Sequence, residues 1–206
     1  MGIYRKQTLL LITVLLSLAS LITVGQNTDI KILREINQTG NSQVLYLNQI
    51  VSDFTTPVVI STLVFLLVFS LYKKNQQLRD RFVVITISVL IAYIASNLIK
   101  IIVQRPRPFD TFIDIIKYGD GGSFSFPSGH TSEAFAFATA ISLAYRKWYI
   151  VIPVYLWACM VGFSRMYLGT HYPSDVLAGI IIGMLSSWLC FKAGQWYKKK
   201  NNPKIV

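Results

Sequence analysis

The sequence predicts an all-α integral membrane protein, a six-helix bundle in a single domain over residues 1–206. Two observations predict this fold class. First, 53% of the residues are hydrophobic and only 14% are charged, whereas about a quarter of the residues in soluble domains are charged. Second, the apolar residues come in long uncharged blocks, and a helix needs about 17–25 such residues to cross a bilayer.

Six uncharged blocks mark the candidate spans. The first three are long enough outright, and the fourth and sixth reach the required length by extending back to residues 128 and 173. The blocks are residues 7–28, 54–72, 82–99, 134–145, 148–164 and 176–191. The first block follows two basic residues, as in a signal peptide. Its long apolar run and poor small-residue cleavage pattern favour a retained span.

The placement of positive charge favours a cytoplasmic location for both termini. With that orientation each cytoplasmic loop carries a basic cluster, as in residues 73–81 and residues 146–147. This bias is what the positive-inside rule expects. We therefore predict a multi-pass protein of the plasma (inner) membrane, with Lys100, Arg107 and Arg165 on its outer or periplasmic side.

The segment between the first two spans has a helical pattern of its own. Apolar residues recur at helical spacing in residues 29–53, in two stretches that Gly40 and Asn41 separate. This pattern predicts two amphipathic helices at the outer interface, with a solvated loop as the alternative. The basic tail after Tyr197 is predicted to be disordered.

Three further features limit the possible partners. The net charge of +11 is not gathered into a continuous stripe, so we expect no nucleic acid partner, and no obligate protein partner is predicted. Cys159 and Cys190 lie in apolar blocks and are predicted to be buried thiols without metal-ligand spacing. Asn37 begins a glycosylation pattern, which is short enough to arise by chance.

The two histidines of the chain, His130 and His171, are both predicted at outer ends of spans. Asp175 follows His171 by four residues, a spacing that can place its carboxylate beside the imidazole at a helix start. A carboxylate on one ring nitrogen fixes the tautomer and leaves the other nitrogen free to attack an electrophile. Taken alone, Asp175 would be interpreted as a residue that caps the helix and pairs with a neighbour.

The tetrapeptide Pro127-Ser128-Gly129-His130 has the composition of a helix start. The backbone N–H groups of such a start can hold phosphate oxygens, so we predict Ser128 and Gly129 as phosphate-binding residues. His130 would stand beside them and donate a proton to a leaving oxygen. The alternative is an ordinary N-cap turn with an incidental histidine.

Three basic residues at outer ends of spans suit a phosphoryl group. Lys100, Arg107 and Arg165 could spread positive charge around it, because phosphoryl transfer depends mainly on positioning and electrostatics. Arg105 and Lys117 are instead predicted to reach the lipid headgroups. Glu133, an ionisable residue within the fourth span, is a functional candidate without an assigned role.

The three motifs in this order resemble the signature of the type 2 phosphatidic acid phosphatase superfamily, which includes vanadium haloperoxidases. Its parts read Lys100 with six residues to Arg107-Pro108, then residues 127–130, then Ser164-Arg165 with five residues to His171 and three more to Asp175. Each part alone is a weak pattern, whereas the ordered set is specific.

The resemblance implies a role for each residue. His171 would form a phosphohistidine, Asp175 would orient it, and His130 would protonate the leaving group and then help to activate water. Neither a metal nor a cofactor is expected. The residues that would bind the phosphoryl oxygens are Lys100, Arg107, Ser128, Gly129 and Arg165.

The substrate predicted from the sequence is a lipid phosphate or pyrophosphate, with undecaprenyl pyrophosphate preferred by analogy. Phosphatidylglycerophosphate, phosphatidic acid and lipid A phosphates are the alternatives. Two other activities stay open: vanadate-dependent halide oxidation, and non-catalytic binding or transport of a lipid phosphate. Both histidines are present, which favours the enzyme over the binder.

Overall fold

The structure, a computed structural model, describes residues 26–38 and 40–201. These residues form helices joined by short connections, except for one long loop between residues 112 and 128. The helices are α1 (Gln26–Asn37), α2 (Ser42–Asp53), α3 (Thr55–Tyr72), α4 (Gln76–Val103), α5 (Pro108–Thr111), α6 (Gly129–Tyr145), α7 (Trp148–Tyr167) and α8 (Pro173–Asn201).

Helix α6 forms the centre of the bundle, packed by α4, α7 and α8. Small residues of α8 let the two backbones approach closely: a Cβ on Gly183 would lie 2.5 Å from the Ser132 carbonyl oxygen, and one on Gly179 would lie 2.8 Å from that of Ser128. Ser187, one further turn along, donates a hydrogen bond to a carbonyl of α6. Small residues spaced by four are a common way to join helices in membranes. This contact fixes the start of α6 against the start of α8.

In the part of the chain that the structure describes, four helices are long and apolar enough to cross a membrane: α3, α4, α7 and α8. They include the predicted second, third, fifth and sixth spans. The fourth predicted span corresponds to α6, whose 17 residues begin at Gly129, close to the predicted extension to residue 128. Residues 7–25 of the first predicted span lie outside the described residues.

Residues 29–53 are helical up to Asn37 and again from Ser42 to Asp53, so a solvated loop does not describe these two stretches. The two predicted helices are α1 and α2, and Asn41 explains the break between them, because its side chain accepts hydrogen bonds from the amides of Gln43 and Val44 as the N-cap of α2. Asn37 is fully buried and bonds to the backbone of Ile116 and Tyr167. It therefore fixes α1 to the long loop and to α7, and is inaccessible as a glycosylation acceptor in this fold.

Two predictions about polar and reactive residues were wrong. The tail is helical rather than disordered over residues 198–201, where α8 continues to Asn201 and Lys198 pairs with Asp80 at 2.7 Å, and residues 202–206 lie outside the described residues. Lysines in a last turn also interact favourably with the helix dipole. Cys159 is exposed and Cys190 half-buried, because an apolar helix in a membrane protein presents part of its apolar surface to lipid rather than to a core.

Candidate active site

The three motifs meet at one end of the bundle. Lys100 lies at the end of α4, His130 at the start of α6, Arg165 at the end of α7 and Asp175 at the start of α8. Hydrogen bonds connect the motifs directly. The Ser128 amide donates to the Asp175 carbonyl oxygen at 3.0 Å, and Arg107 Nη1 donates to the Thr170 carbonyl oxygen at 2.9 Å.

The carboxylate of Asp175 is fully buried and faces the imidazole of His171. Its Oδ2 lies 3.5 Å from Nδ1 of His171, and this nitrogen has no hydrogen-bond partner among the described residues. Oδ2 instead accepts hydrogen bonds from the Ser125 hydroxyl and the Tyr172 amide. The carboxylate is thus fixed by its other neighbours, and a small movement of the imidazole towards it would form a hydrogen bond.

Arg105 does not reach the lipid headgroups, so that prediction was wrong. Its guanidinium is buried and donates to Asp175 Oδ1 at 2.6 Å and to Asp29 Oδ2 at 3.0 Å. Burying a guanidinium is costly unless its charge is compensated, and Asp29, which is 76 residues distant in the chain, supplies the second carboxylate beside Arg105. Lys117 is exposed beside the ring of Phe109.

The three predicted phosphate-binding cations are all buried at this end of the bundle. Lys100 Nζ donates to the Phe124 carbonyl oxygen at 2.7 Å, and Arg107 Nε donates to that of Ser123 at 2.8 Å. Arg165 donates to the Ser52 hydroxyl and to the Asp120 carbonyl oxygen, while its buried Nε is without a partner within the described part of the chain. The carbonyl groups of the long loop therefore orient the cations, and the N–H group at Nε of Arg165 stays available to donate a hydrogen bond.

Both histidines share charged neighbours. His130 interacts electrostatically with Lys100, Arg107 and Arg165, and His171 with the same two arginines. The two imidazoles therefore lie in one electropositive region, His130 in the first turn of α6 and His171 in the turn just before α8.

The turn before α6 is organised by Ser128. Its hydroxyl forms a hydrogen bond with Thr131 at 2.8 Å, its amide is bonded to Asp175, and its carbonyl accepts the amide of Ser132. The next amides, beginning with Gly129, belong to the first turn of the helix, where N–H groups have no intrahelical acceptor. These amides, rather than that of Ser128, are the donors that an anion could use.

Burial, with a smaller contribution from the positive charges of Arg165 and Arg107, lowers the pKa of His171 to about 3 and outweighs the opposing effect of Asp175. His171 is therefore neutral at physiological pH, and a lone pair is available on a ring nitrogen. A neutral imidazole is the form required for nucleophilic attack.

Glu133 accepts a hydrogen bond from Thr56 Oγ1 at 2.8 Å, an interaction that joins α6 to α3. Among residues 26–38 and 40–201, no group of three or more His, Cys, Asp or Glu side chains could hold a metal ion.

Comparison with known proteins assigns the family. The profile of the PAP2 superfamily matches residues 81–199, more than half of the chain and the whole of the site from Lys100 to Asp175. The chain belongs to the PAP2 superfamily. The match begins within α4 and ends within α8, so it covers the helices that position the three motifs.

The proteins that the chain resembles in sequence include phosphatases of different lipids. The chain is 38% identical over 85 residues to lipid A 4'-phosphatase of Bacteroides thetaiotaomicron, a match that spans 41% of this chain and only 38% of that protein. It is 29% identical over 178 residues to undecaprenyl-diphosphatase of Sulfolobus acidocaldarius, covering 84% of this chain and 79% of that one. The chain therefore spans well under half of the first relative and most of the second.

The fold is also that of a solved PAP2 structure. The transmembrane PAP2-type phosphatidylglycerolphosphate phosphatase from Bacillus subtilis superposes with a TM-score of 0.71 at 21% identity, over 95% of this chain and 98% of that one. The likeness shows the same fold, which is helical without strands in the part of the chain that the structure describes, and the four long apolar helices indicate an integral membrane protein.

Sequence reasoning missed Asp29, Arg105, Ser125 and Ser52 as residues that support the site. The signal for Arg105 was present, since Arg105-Pro106 directly precedes Arg107-Pro108. Its partner Asp29 could not be identified, because nothing in the sequence indicates which helix lies beside α8.

Proposed function

We propose that this protein is a membrane lipid phosphatase that hydrolyses a lipid phosphate or diphosphate through a phosphohistidine at His171. The observation that carries the proposal is the burial of a neutral His171 beside Asp175, within electrostatic range of Arg107 and Arg165. A neutral imidazole can attack phosphorus, and cations stabilise the negative charge that the equatorial oxygens carry in the transition state.

In the first step, the His171 ring nitrogen that faces away from Asp175, Nε2, forms a bond to phosphorus. The bond between phosphorus and the oxygen of the lipid breaks, and His130 gives its proton to the departing oxygen. His171 becomes cationic, and Asp175 stabilises that charge through Nδ1.

In the second step, His130 takes a proton from water as the oxygen of that water attacks the phosphohistidine. The phosphorus–nitrogen bond breaks, inorganic phosphate leaves, and His171 regains its neutral form. The phosphoryl oxygens would be held by Lys100, Arg107 and Arg165, and by the free amides at the start of α6. No step of this scheme uses a metal.

The topology that we propose has six spans, with the first one before α1 in residues 7–25, and α1 and α2 at the outer interface. Both termini would be cytoplasmic, and the site would open at the outer face, as the positive-inside rule indicates. The ends of the bundle differ in charge accordingly, since basic residues such as Arg81, Arg146 and Lys192 lie at the end opposite the site. Cysteines introduced at Gly122 and Lys147, in a chain without its two native cysteines, should react with impermeant reagents from opposite sides.

Undecaprenyl diphosphate is the favoured substrate, because the sequence match to an undecaprenyl-diphosphatase covers 84% of this chain, whereas that to the lipid A 4'-phosphatase covers 41%. A lipid A phosphate is the second candidate, because the relative with 38% identity is a lipid A 4'-phosphatase. Both substrates place a phosphate at the membrane surface and a hydrocarbon tail in the bilayer.

The test is phosphate release by the purified protein in detergent with a chelator. The panel comprises undecaprenyl diphosphate, lipid A, phosphatidylglycerophosphate and phosphatidic acid, and His171→Ala is the matched inactive variant. We expect turnover by the wild-type protein and none above background by the variant. Full activity of His171→Ala would contradict the mechanism, and loss of wild-type activity with the chelator would contradict metal independence.

A further inference from the structure

A second acidic residue lies behind Asp175. Asp29 of α1 is buried and is joined to Asp175 through the guanidinium of Arg105, whose Nη2 and Nη1 contact the two carboxylates at 3.0 Å and 2.6 Å. Arg105 also lies over the ring of Tyr172, 3.8 Å from its centroid. The arginine is thus held on three sides.

Asp29 also caps the helix that carries Asp175. Its Oδ1 accepts a hydrogen bond from the Ser174 amide at 3.0 Å, and its Oδ2 accepts one from the Ser174 hydroxyl. An acceptor at the first amides of a helix satisfies donors that have no intrahelical partner. Here that acceptor comes from another helix, α1, which is thereby fixed at the first turn of α8.

The charges of this group have a specific balance. Two buried carboxylates share one guanidinium, so the group carries one net negative charge if both are ionised. If Asp29 were absent, the whole charge of Arg105 would compensate Asp175. The carboxylate would then offer less stabilisation to a cationic imidazole, because each partner of a buried ion pair reduces the field of the other.

We propose that Asp29 and Arg105 act as a positioning pair, which orients the carboxylate of Asp175 and leaves it enough negative charge to serve His171. The pair contacts neither His171 nor any of the three phosphate-binding cations in the described structure. Its effect therefore passes through Asp175. The inference rests on the proposed function, in which Asp175 orients the nucleophile.

Arg105→Met tests the arginine, because methionine has a similar length and no charge. We expect kcat to fall by about 10–100-fold, the usual effect of losing a residue that orients a catalytic side chain, and KM to change by less than about threefold, because the phosphate-binding residues stay in place. Arg105→Lys keeps a cation but loses one of the two contacts, and should recover part of the lost kcat.

Arg34→Met is the matched control. Arg34 is also an arginine paired with an aspartate, Asp114 at 2.6 Å, but the pair is exposed and lies on the far side of α1 from Asp29. Its kcat should equal that of the wild-type protein, and an equal loss in the control would show that the effect is not specific to Arg105.

A spectroscopic readout separates positioning from simple structural support. Asp175, Arg107 and Arg165 are the charged groups that act on His171. Removing Arg105 leaves Asp175 without its cation, so the pKa of His171, followed by nitrogen-15 NMR, should rise in Arg105→Met. Asp29→Asn should lower kcat without raising the pKa of His171, because Arg105 would then compensate the negative charge of Asp175 alone.

The outcomes are distinct. If Arg105→Met keeps the wild-type kcat and His171 titration and only melts earlier, the pair is structural and the inference is wrong. If Arg105→Met does not fold, Arg105→Lys and Asp29→Asn decide the matter, and wild-type kcat in both would contradict the inference. If wild-type and His171→Ala proteins are equally active, the proposed function itself fails.

Discussion

Nδ1 of His171 lies 3.5 Å from Oδ2 of Asp175, and no hydrogen bond forms between them in the described structure. The carboxylate is fixed by the Ser125 hydroxyl and by Arg105, so a hydrogen bond requires a small movement of the imidazole. Catalytic hydrogen bonds are often long in the free enzyme and shorten when substrate binds. We therefore expect the His171–Asp175 contact to form during the reaction.

Asp175→Asn should lower kcat by roughly 10³-fold or more, because an amide holds the imidazole in a poor tautomer and does not stabilise its positive charge, as in serine proteases. Phosphate release under substrate saturation measures the effect. Asp114→Asn, which changes an exposed aspartate outside the site, is the control. A kcat for Asp175→Asn within threefold of wild type would contradict the orienting role.

His171 should stay neutral over the whole range from pH 8 to pH 5. Its pKa in the folded protein is lowered to about 3, below the usual value of about 6.5. Because the imidazole is protonated more readily in the unfolded state, His171 increasingly opposes folding as the pH falls from about 6.5 towards 3, and it has no effect on stability above that range. Nitrogen-15 labelling of the two histidines reports both rings, and His130→Gln assigns the signals. Protonation of His171 with a midpoint near pH 6.5 would contradict the burial argument.

Arg165→Lys should lower kcat/KM by about 10–10³-fold, because lysine offers a point charge in place of a planar fork. Arg165 already donates to Ser52 and Asp120 while its Nε is unpartnered within the described residues, so the fork can serve the loop and a phosphate together. Initial rates over a range of substrate concentrations measure the effect. Arg34→Lys is the control and should keep the wild-type kcat/KM. A wild-type kcat/KM for Arg165→Lys would show that Arg165 does not bind the phosphate.

Gly183→Ala should destabilise the protein by about 1–3 kcal/mol, the usual cost of overpacking. The added Cβ would lie 2.5 Å from the Ser132 carbonyl oxygen and 2.7 Å from the Ala136 amide, and backbone atoms cannot move aside as a flexible side chain can. Thermal unfolding in detergent should show a Tm lower by roughly 2–4 °C per kcal/mol. Gly194→Ala on the same helix meets a side-chain atom of Val84 at 3.3 Å, and should leave Tm nearly unchanged.

The sequence was sufficient to predict the helices and the family. Long uncharged blocks predict α3, α4 and α7 because helices in a bilayer must be apolar along their length. The ends were less accurate: α4 extends from Gln76 to Val103 rather than over 82–99, because polar residues at the ends of a span can remain helical. The family resemblance rested on the spacing of the three motifs from Lys100 to Asp175, and the PAP2 profile matches the same segment.

The supporting residues of the site could not be predicted, because their partners are far apart in sequence. Arg105 looks like a headgroup contact when read alone, and only its bond to Asp29, 76 residues away, explains its burial. The exposure of Cys159 has a similar origin, since an apolar residue in a span can face lipid or protein. The roles of the individual catalytic residues stay predictions.

Trapping the covalent intermediate tests the account most directly. The His130→Ala variant is mixed with a lipid diphosphate whose terminal phosphate is radiolabelled, with a chelator present, and the reaction is stopped in base, where phosphohistidine is stable. The account predicts acid-labile label on the peptide that contains His171. The double variant, with His130→Ala and His171→Ala together, should carry no such label. The account would be contradicted if the protein turned over substrate without any label on His171 and if its activity survived His171→Ala.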